Sequence, residues 1–223
     1  MRVDIETRRH WYRFVALPEK FKNSPGFFCC SFLLQVLQED FGVEYNPLRV
    51  RDASFQNPRC LEPDFRDSRD LFIHGIIDGA GGTCASMPVL YVAVGRRLGY
   101  PLKLVESRGH LFFRWDDPSG ERFGVPERFN VEGTGYGISS FDDDYYRNWP
   151  EPWSSADHDG GWYLKSLSPF EELAAFLCTR GECLMDNGRL DEAIQAYQWV
   201  CRLMPQDKRY RFLKWTPFFG PRG

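Results

Sequence analysis

The sequence predicts an α+β domain followed by a pair of helices, and three observations carry that prediction. A glycine-rich loop, Gly79-Ala80-Gly81-Gly82, runs into an apolar stretch that ends near Leu98. Three short segments of β character, bounded by turn residues, follow between Pro101 and Glu132. Beyond Leu173 the pattern turns purely helical, in two apolar-periodic runs joined by a tight link. The 223 residues are 43% hydrophobic and 16% aromatic, enough for a packed core and too apolar for disorder.

Residues 1–26 mix charges with Trp11, Tyr12, Phe14 and Phe21, and predict a helix or loop lying on the surface of the main domain. From Phe27 to Phe41 the chain is strongly apolar. Leu33, Val36, Leu37 and Phe41 keep helical spacing, and Gly42 is the stop. Residues 43–68, with Pro47, Pro58 and Pro63 among many charges, predict an extended connection. The segment Asp70–Asp78 is short and apolar, and its His74 is either a core histidine or a residue facing a site.

At the glycine loop, Thr83 is a plausible N-cap and Pro88 falls in or near the first helical turn. Cys84 is thereby expected at the positive end of a helix. A thiol in such a place, with a cation beside it, drops from about 8.5 into the ~3.5–7.5 range. The same residues also describe a tight turn followed by a buried, inert cysteine. Pro101–Val105 and His110–Trp115 then read as strands across a Ser107-Arg108-Gly109 bend, with Phe129–Glu132 as a third. Strands joined by turns pair antiparallel, and side chains alternate faces. His110, Phe112 and Arg114 share one face, as do Asn130 and Glu132. Neighbouring strands would therefore set an imidazole beside a carboxylate.

Residues 133–161 are rich in glycine, aspartate and aromatics. They read either as a substrate-facing loop or as a surface loop whose aspartates cap a short helix. Leu173–Met185 and Leu190–Met204 form a helical hairpin across Asp186-Asn187-Gly188-Arg189, and Pro205 ends it. Gly181, Gly188, Asp191-Glu192-Ala193-Ile194, Tyr197 and Pro205 fall at tetratricopeptide positions, in a single copy. One repeat leaves an apolar face to bury, on the main domain or on a protein partner. The expected organisation is a core over residues 1–166, a helical hairpin over 167–207 and a basic, aromatic tail over 208–223.

A net charge of −3 gives no footing for nucleic acid, and no apolar run reaches membrane-spanning length. The charged start Met1–Arg9 predicts no secretory leader, and seven irregularly spaced cysteines read as reduced thiols of a cytoplasmic protein. Cys29 and Cys30 sit among phenylalanines, Cys178 and Cys183 share a helix face poorly, and no CxxC or HExxH occurs. No metal or cofactor is expected.

A cysteine at a helix start, a histidine opening a strand and a carboxylate or amide on the next strand have a joint chemical meaning. The thiolate attacks a carbonyl carbon, the imidazole moves the proton, and the third group orients the ring. Gly81-Gly82-Thr83-Cys84-Ala85-Ser86-Met87-Pro88-Val89-Leu90-Tyr91, Arg96-Arg97-Leu98-Gly99-Tyr100-Pro101, Gly109-His110-Leu111-Phe112 and Phe129-Asn130-Val131-Glu132-Gly133-Thr134 resemble the transglutaminase-like superfamily. The closer likeness is to its bacterial branch of small intracellular proteins ending in a tetratricopeptide-like hairpin. The motifs cover about residues 70–150, and the hairpin extends the likeness towards 205.

The resemblance implies a papain-like cysteine-protease fold, in which a nucleophile-bearing helix packs on an antiparallel sheet. It implies Cys84 as nucleophile, His110 as base and Glu132 where the superfamily usually has aspartate. Asn130 is the alternative third residue, and Ala85 stands where animal transglutaminases often carry tryptophan. The implied activity is hydrolysis or acyl transfer on an amide of a peptide or glutamine side chain, through a thioester. A catalytically silent scaffold that binds a protein through the hairpin is the alternative.

Overall fold

A computed structural model describes residues 1–50, 63–207 and 209–210. The described chain runs α1 (Arg2–Arg9), α2 (Trp11–Ala16), α3 (Pro25–Gln35), α4 (Ser68–Leu71), α5 (Ile73–Ile77) and α6 (Met87–Arg97), then β1 (Leu102–Ser107), β2 (His110–Asp117) and β3 (Glu127–Val131). Next come α7 (Asp143–Asn148), α8 (Ser155–Gly160), α9 (Pro169–Asp186) and α10 (Leu190–Leu203). The architecture is the α+β arrangement expected: helices, a three-stranded antiparallel sheet, and a helical hairpin.

The sheet order is β1-β2-β3, with Val105 opposite Phe112 and Arg114 opposite Asn130. A two-residue turn, Arg108-Gly109, joins β1 to β2 because Ser107 pairs directly with His110. Gly109 holds φ at +68° there, a value that disfavours a side chain and explains the glycine. His110 consequently opens its strand at the end of the sheet.

The two sheet faces have different neighbours. One presents Leu102, Leu104, Phe113, Trp115 and Val131 to α3 and α6, where Phe28, Leu33, Met87, Tyr91 and Val92 complete the main core. Each such side chain contributes about 1.5–3 kcal/mol when fully buried. The other face carries Val105 and Phe112 under Tyr146 of α7 and Leu164. Phe112 and Tyr146 stack nearly parallel with centroids 3.8 Å apart.

The segment before α3 forms two helices rather than a loop. Ser24 starts α3 by accepting from the Phe27 N–H at 2.8 Å, with Pro25 at the first helical position. The helix continues as a wider coil over Val36–Asp40 before Gly42. The described part of the expected extended connection includes a short 3₁₀ turn at Pro47–Arg49, while Pro58 lies outside the described residues.

The hairpin packs on the core. Ser168 and Glu171 form a reciprocal capping box at the start of α9. The Arg96 guanidinium of α6 donates to the buried Glu172 carboxylate at 2.8 Å and to the Leu102 carbonyl at 2.9 Å. Phe176 packs against the main core. Within the hairpin Gly181 lies against the Tyr197 ring, so close that a Cβ there would stand 2.3 Å from it. Of the tail, Arg209 and Tyr210 are described. Arg209 donates to Glu106 of β1 at 2.9 Å, and the aromatic residues after Tyr210 lie outside the described residues. No described helix is long and apolar enough to cross a membrane.

Candidate active site

Cys84 sits in the turn just ahead of α6, not in the helix itself. The reason is a reciprocal lock. Ser86 Oγ accepts from the Thr83 N–H at 3.0 Å, and Thr83 Oγ1 accepts from the Ala85 N–H at 3.1 Å. The expected cap, Thr83, therefore begins a tight turn, and Ser86 takes the N-cap position. Thr83 Oγ1 also donates to the Asp70 carbonyl at 2.6 Å. Asp70 in turn accepts from Asn46 Nδ2 at 2.7 Å and Arg49 Nε at 2.6 Å.

The glycine loop is pinned from the other side. Gly82 accepts from the Asn46 N–H at 2.7 Å and donates to the Glu44 carbonyl at 2.9 Å. Gly81, at φ +85°, lies so near that a Cβ would stand 2.7 Å from the Asn46 Cα. Backbone proximity and positive φ together require glycine there. The half-buried thiol is thus carried on a turn fixed at both ends.

The imidazole comes from the sheet. His110 is 7% exposed, and its Nε2 lies 2.8 Å from Glu132 Oε2. Cys84 lies near the same ring, lines the same cleft and favours its protonated form. Because Glu132 engages Nε2, Nδ1 is the nitrogen left for sulfur. Burial by itself disfavours the imidazolium, but the Glu132 charge, Cys84 and the hydrogen bond to Glu132 outweigh it. The pKa is raised from 6.5 to about 10.

Glu132 is buried and closely held. Its Oε1 accepts from the Thr134 N–H at 3.0 Å and Oγ1 at 2.6 Å, and Oε2 accepts from the Tyr146 hydroxyl at 3.2 Å. Burial pushes its pKa up, yet His110 and the Thr134 donors more than reverse this, and the net shift is downward. Each partner thus favours the charged form of the other. Trp149, just after α7, sets its ring edge-on to the imidazole with centroids 4.6 Å apart.

Cys84 and His110 open together into a cleft of about 670 Å³ between the core and α9. Phe72, Leu111, Phe176 and Thr179 are among its walls. Such a volume suits a small ligand or a short stretch of peptide.

Of the residues singled out in the sequence, Cys84, His110 and Glu132 converge. Asn130 does not join them. Its Oδ1 accepts from Arg114 Nε at 2.7 Å and its Nδ2 donates to Asp143 at 2.8 Å. The strand register explains this, since Asn130 pairs with Arg114, four residues along β2 from His110. His74 is exposed, 3.3 Å from Ser68 Oγ, and does not face the cleft. Asp142 caps α7 by accepting from the Tyr145 N–H at 2.9 Å, as the capping alternative expects.

Thr134, Tyr146 and Trp149 were not assigned to the site from the sequence. A buried aromatic face at i, i+3 after an aspartate cap is the signal that marks Tyr146 and Trp149. Among the described residues no group of three or more histidines, cysteines or carboxylates is gathered as a metal site.

Neither the curated proteins nor the solved structures yield a match to this chain. A protein-family comparison does: residues 49–140, which hold the glycine loop, Cys84, α6, the sheet, His110 and Glu132, match the transglutaminase-like superfamily.

Proposed function

We propose that the chain is a cysteine-dependent amide hydrolase or acyltransferase with Cys84 as nucleophile, His110 as proton carrier and Glu132 as the group that orients and charges the ring. The observation that carries this reading is the buried His110–Glu132 pair at 2.8 Å, with one ring nitrogen left over and Cys84 lining the same cleft. A protonated His110 supplies the cation that pairs with a thiolate. The sulfur attacks the carbonyl carbon of an amide, and a tetrahedral oxyanion forms. As the C–N bond breaks, His110 gives its proton to the departing amine and a thioester remains. Water then attacks the thioester, His110 takes its proton, and the carboxylic acid leaves as the thiolate is restored.

In the turn before α6 the Thr83, Ala85, Ser86 and Met87 N–H groups are engaged within the turn, so the Cys84 N–H is the oxyanion donor this reading uses, worth about 3–4 kcal/mol in comparable sites. Water is the acceptor we favour, because the sequence shows no identifiable amine site. Cytoplasmic residence, the bacterial branch and the tetratricopeptide character of the hairpin belong to this proposal.

The test is alkylation of Cys84 by iodoacetamide at pH 6–7, mapped by mass spectrometry, beside hydrolysis of a panel of peptide and glutamine amides. Cys84 is expected to react faster than a free thiol, and His110→Ala to remove that advantage. Cys84→Ala is expected to lose all turnover. Equal rates in the wild-type and His110→Ala chains would refute the assignment.

The rival, a silent scaffold with a protein partner on the hairpin, draws support from the exposed Phe170, Leu173 and Trp199. It predicts partner capture that persists in Cys84→Ala and disappears in Trp199→Ala.

A further inference from the structure

The second wall of the cleft is helical and belongs to the hairpin. Phe176 and Thr179 stand one turn apart on α9 and line the same cavity as Cys84 and His110. The helix is not loosely appended, since Glu172 is held by Arg96 at 2.8 Å, one turn before Phe176. Across the cleft, Phe72 and Leu111 offer further apolar surface. Of the charged residues in the lining, Glu106 and Arg209 pair with each other at 2.9 Å, and Glu182 stands one turn beyond Thr179 on α9.

An apolar substrate group placed there loses water favourably. A primary carboxamide laid against Phe72, Leu111 and Phe176 would be desolvated with no partner from those side chains, which costs free energy. We infer that α9 forms a wall of the substrate site, and that the site takes peptide amides with an apolar side chain beside the scissile bond in preference to glutamine side chains.

This inference rests on Cys84 being the nucleophile of the proposed function. It makes the hairpin an element of substrate selection. The attack, the C–N cleavage and the proton transfers are those already given. What α9 adds is the choice of the side chain beside the scissile amide.

Three alkylating reagents that differ only in their tail test it on the full chain. They are iodoacetamide, N-(2-phenylethyl)iodoacetamide and N-(2-carbamoylethyl)iodoacetamide, the last ending in the carboxamide of a glutamine side chain. The rate at Cys84 is read by mass mapping and divided by each reagent's rate with glutathione. The phenylethyl reagent is expected to exceed the carbamoylethyl reagent about tenfold, the factor that partial burial of one ring supplies. Thr179→Trp, which fills the cleft, and Phe176→Asp, which makes its wall polar, are expected to bring that ratio to about one, each variant's own iodoacetamide rate serving as its reference.

A wild-type ratio of one or below overturns the inference, as does a ratio that survives both substitutions. All ratios are taken on one sulfur, so they are readable whatever its absolute reactivity. Slow alkylation by iodoacetamide counts against the thiolate reading, and the ratio separately decides what the cleft prefers.

Discussion

Two buried cations stand four residues apart on one face of β2, and the contrast between them separates structure from chemistry. Arg114 is 1% exposed and fully engaged: Nε meets Asn130, Nη1 meets the Leu164 carbonyl at 3.0 Å, and Nη2 meets Asp143 at 2.8 Å. His110 is held as firmly by Glu132, yet Glu132 occupies only one of its two nitrogens, and the ring lines a cleft together with Cys84. Both networks satisfy their buried charges, as burial demands. Only one keeps a proton-carrying atom near a reactive group, and that is where chemistry is expected.

The sharpest way to break the comparison is to remove each cation. His110→Ala is expected to lower amide turnover by about a thousandfold or more, the scale on which catalytic triads lose rate. Arg114→Met, which retains the bulk of the side chain, is expected to change turnover less than tenfold. If the two lose activity equally, His110 is only another structural cation.

Stability should rank them the other way. Arg114→Ala leaves Asp143, Asn130 and a carbonyl without their shared donor, and is expected to cost about 3–5 kcal/mol in urea unfolding. His110→Ala leaves Glu132 with Thr134 and Tyr146 still donating, so a smaller loss is expected.

A third prediction concerns pH. The His110 pKa is raised on folding, so its contribution to stability is complete below about 6.5 and is lost as pH rises towards about 10. Thermal unfolding followed from pH 6 to pH 10 should show a decline that Glu132→Gln flattens, with no comparable change in Arg114→Met. The smallest effect is expected from Tyr146→Phe, which removes one 3.2 Å hydrogen bond to Glu132 and nothing from the Phe112 stack. A loss of about 1 kcal/mol in unfolding free energy is expected.

The sequence made one half of this comparison more legible than the other. Alternation along β2 and β3 puts His110, Arg114, Asn130 and Glu132 on the proper faces, because strand periodicity is strictly two. It does not give register, and so left Asn130 and Glu132 as rivals until Arg114 was seen to pair with Asn130. The position of Cys84 was legible to within one turn. The miss came from the Thr83–Ser86 lock, where two hydroxyl residues compete as caps and local propensity does not choose between them.

Tyr146 reaches Glu132 from the short helix α7, and Phe176 reaches the cleft from a helix some ninety positions after Cys84 in the chain. Such contacts are set by tertiary packing, which the apolar spacing of one helix does not encode.

The central claim is that His110 is a protonated partner for sulfur at neutral pH, made so by Glu132. Nitrogen NMR of the His110 ring across pH 5–10 addresses it directly. The account predicts an imidazolium at pH 7 and pH 8 that titrates near 10, and a markedly lower midpoint in Glu132→Gln. A ring that is already neutral at pH 7, in both the wild-type and the Glu132→Gln chains, would contradict it.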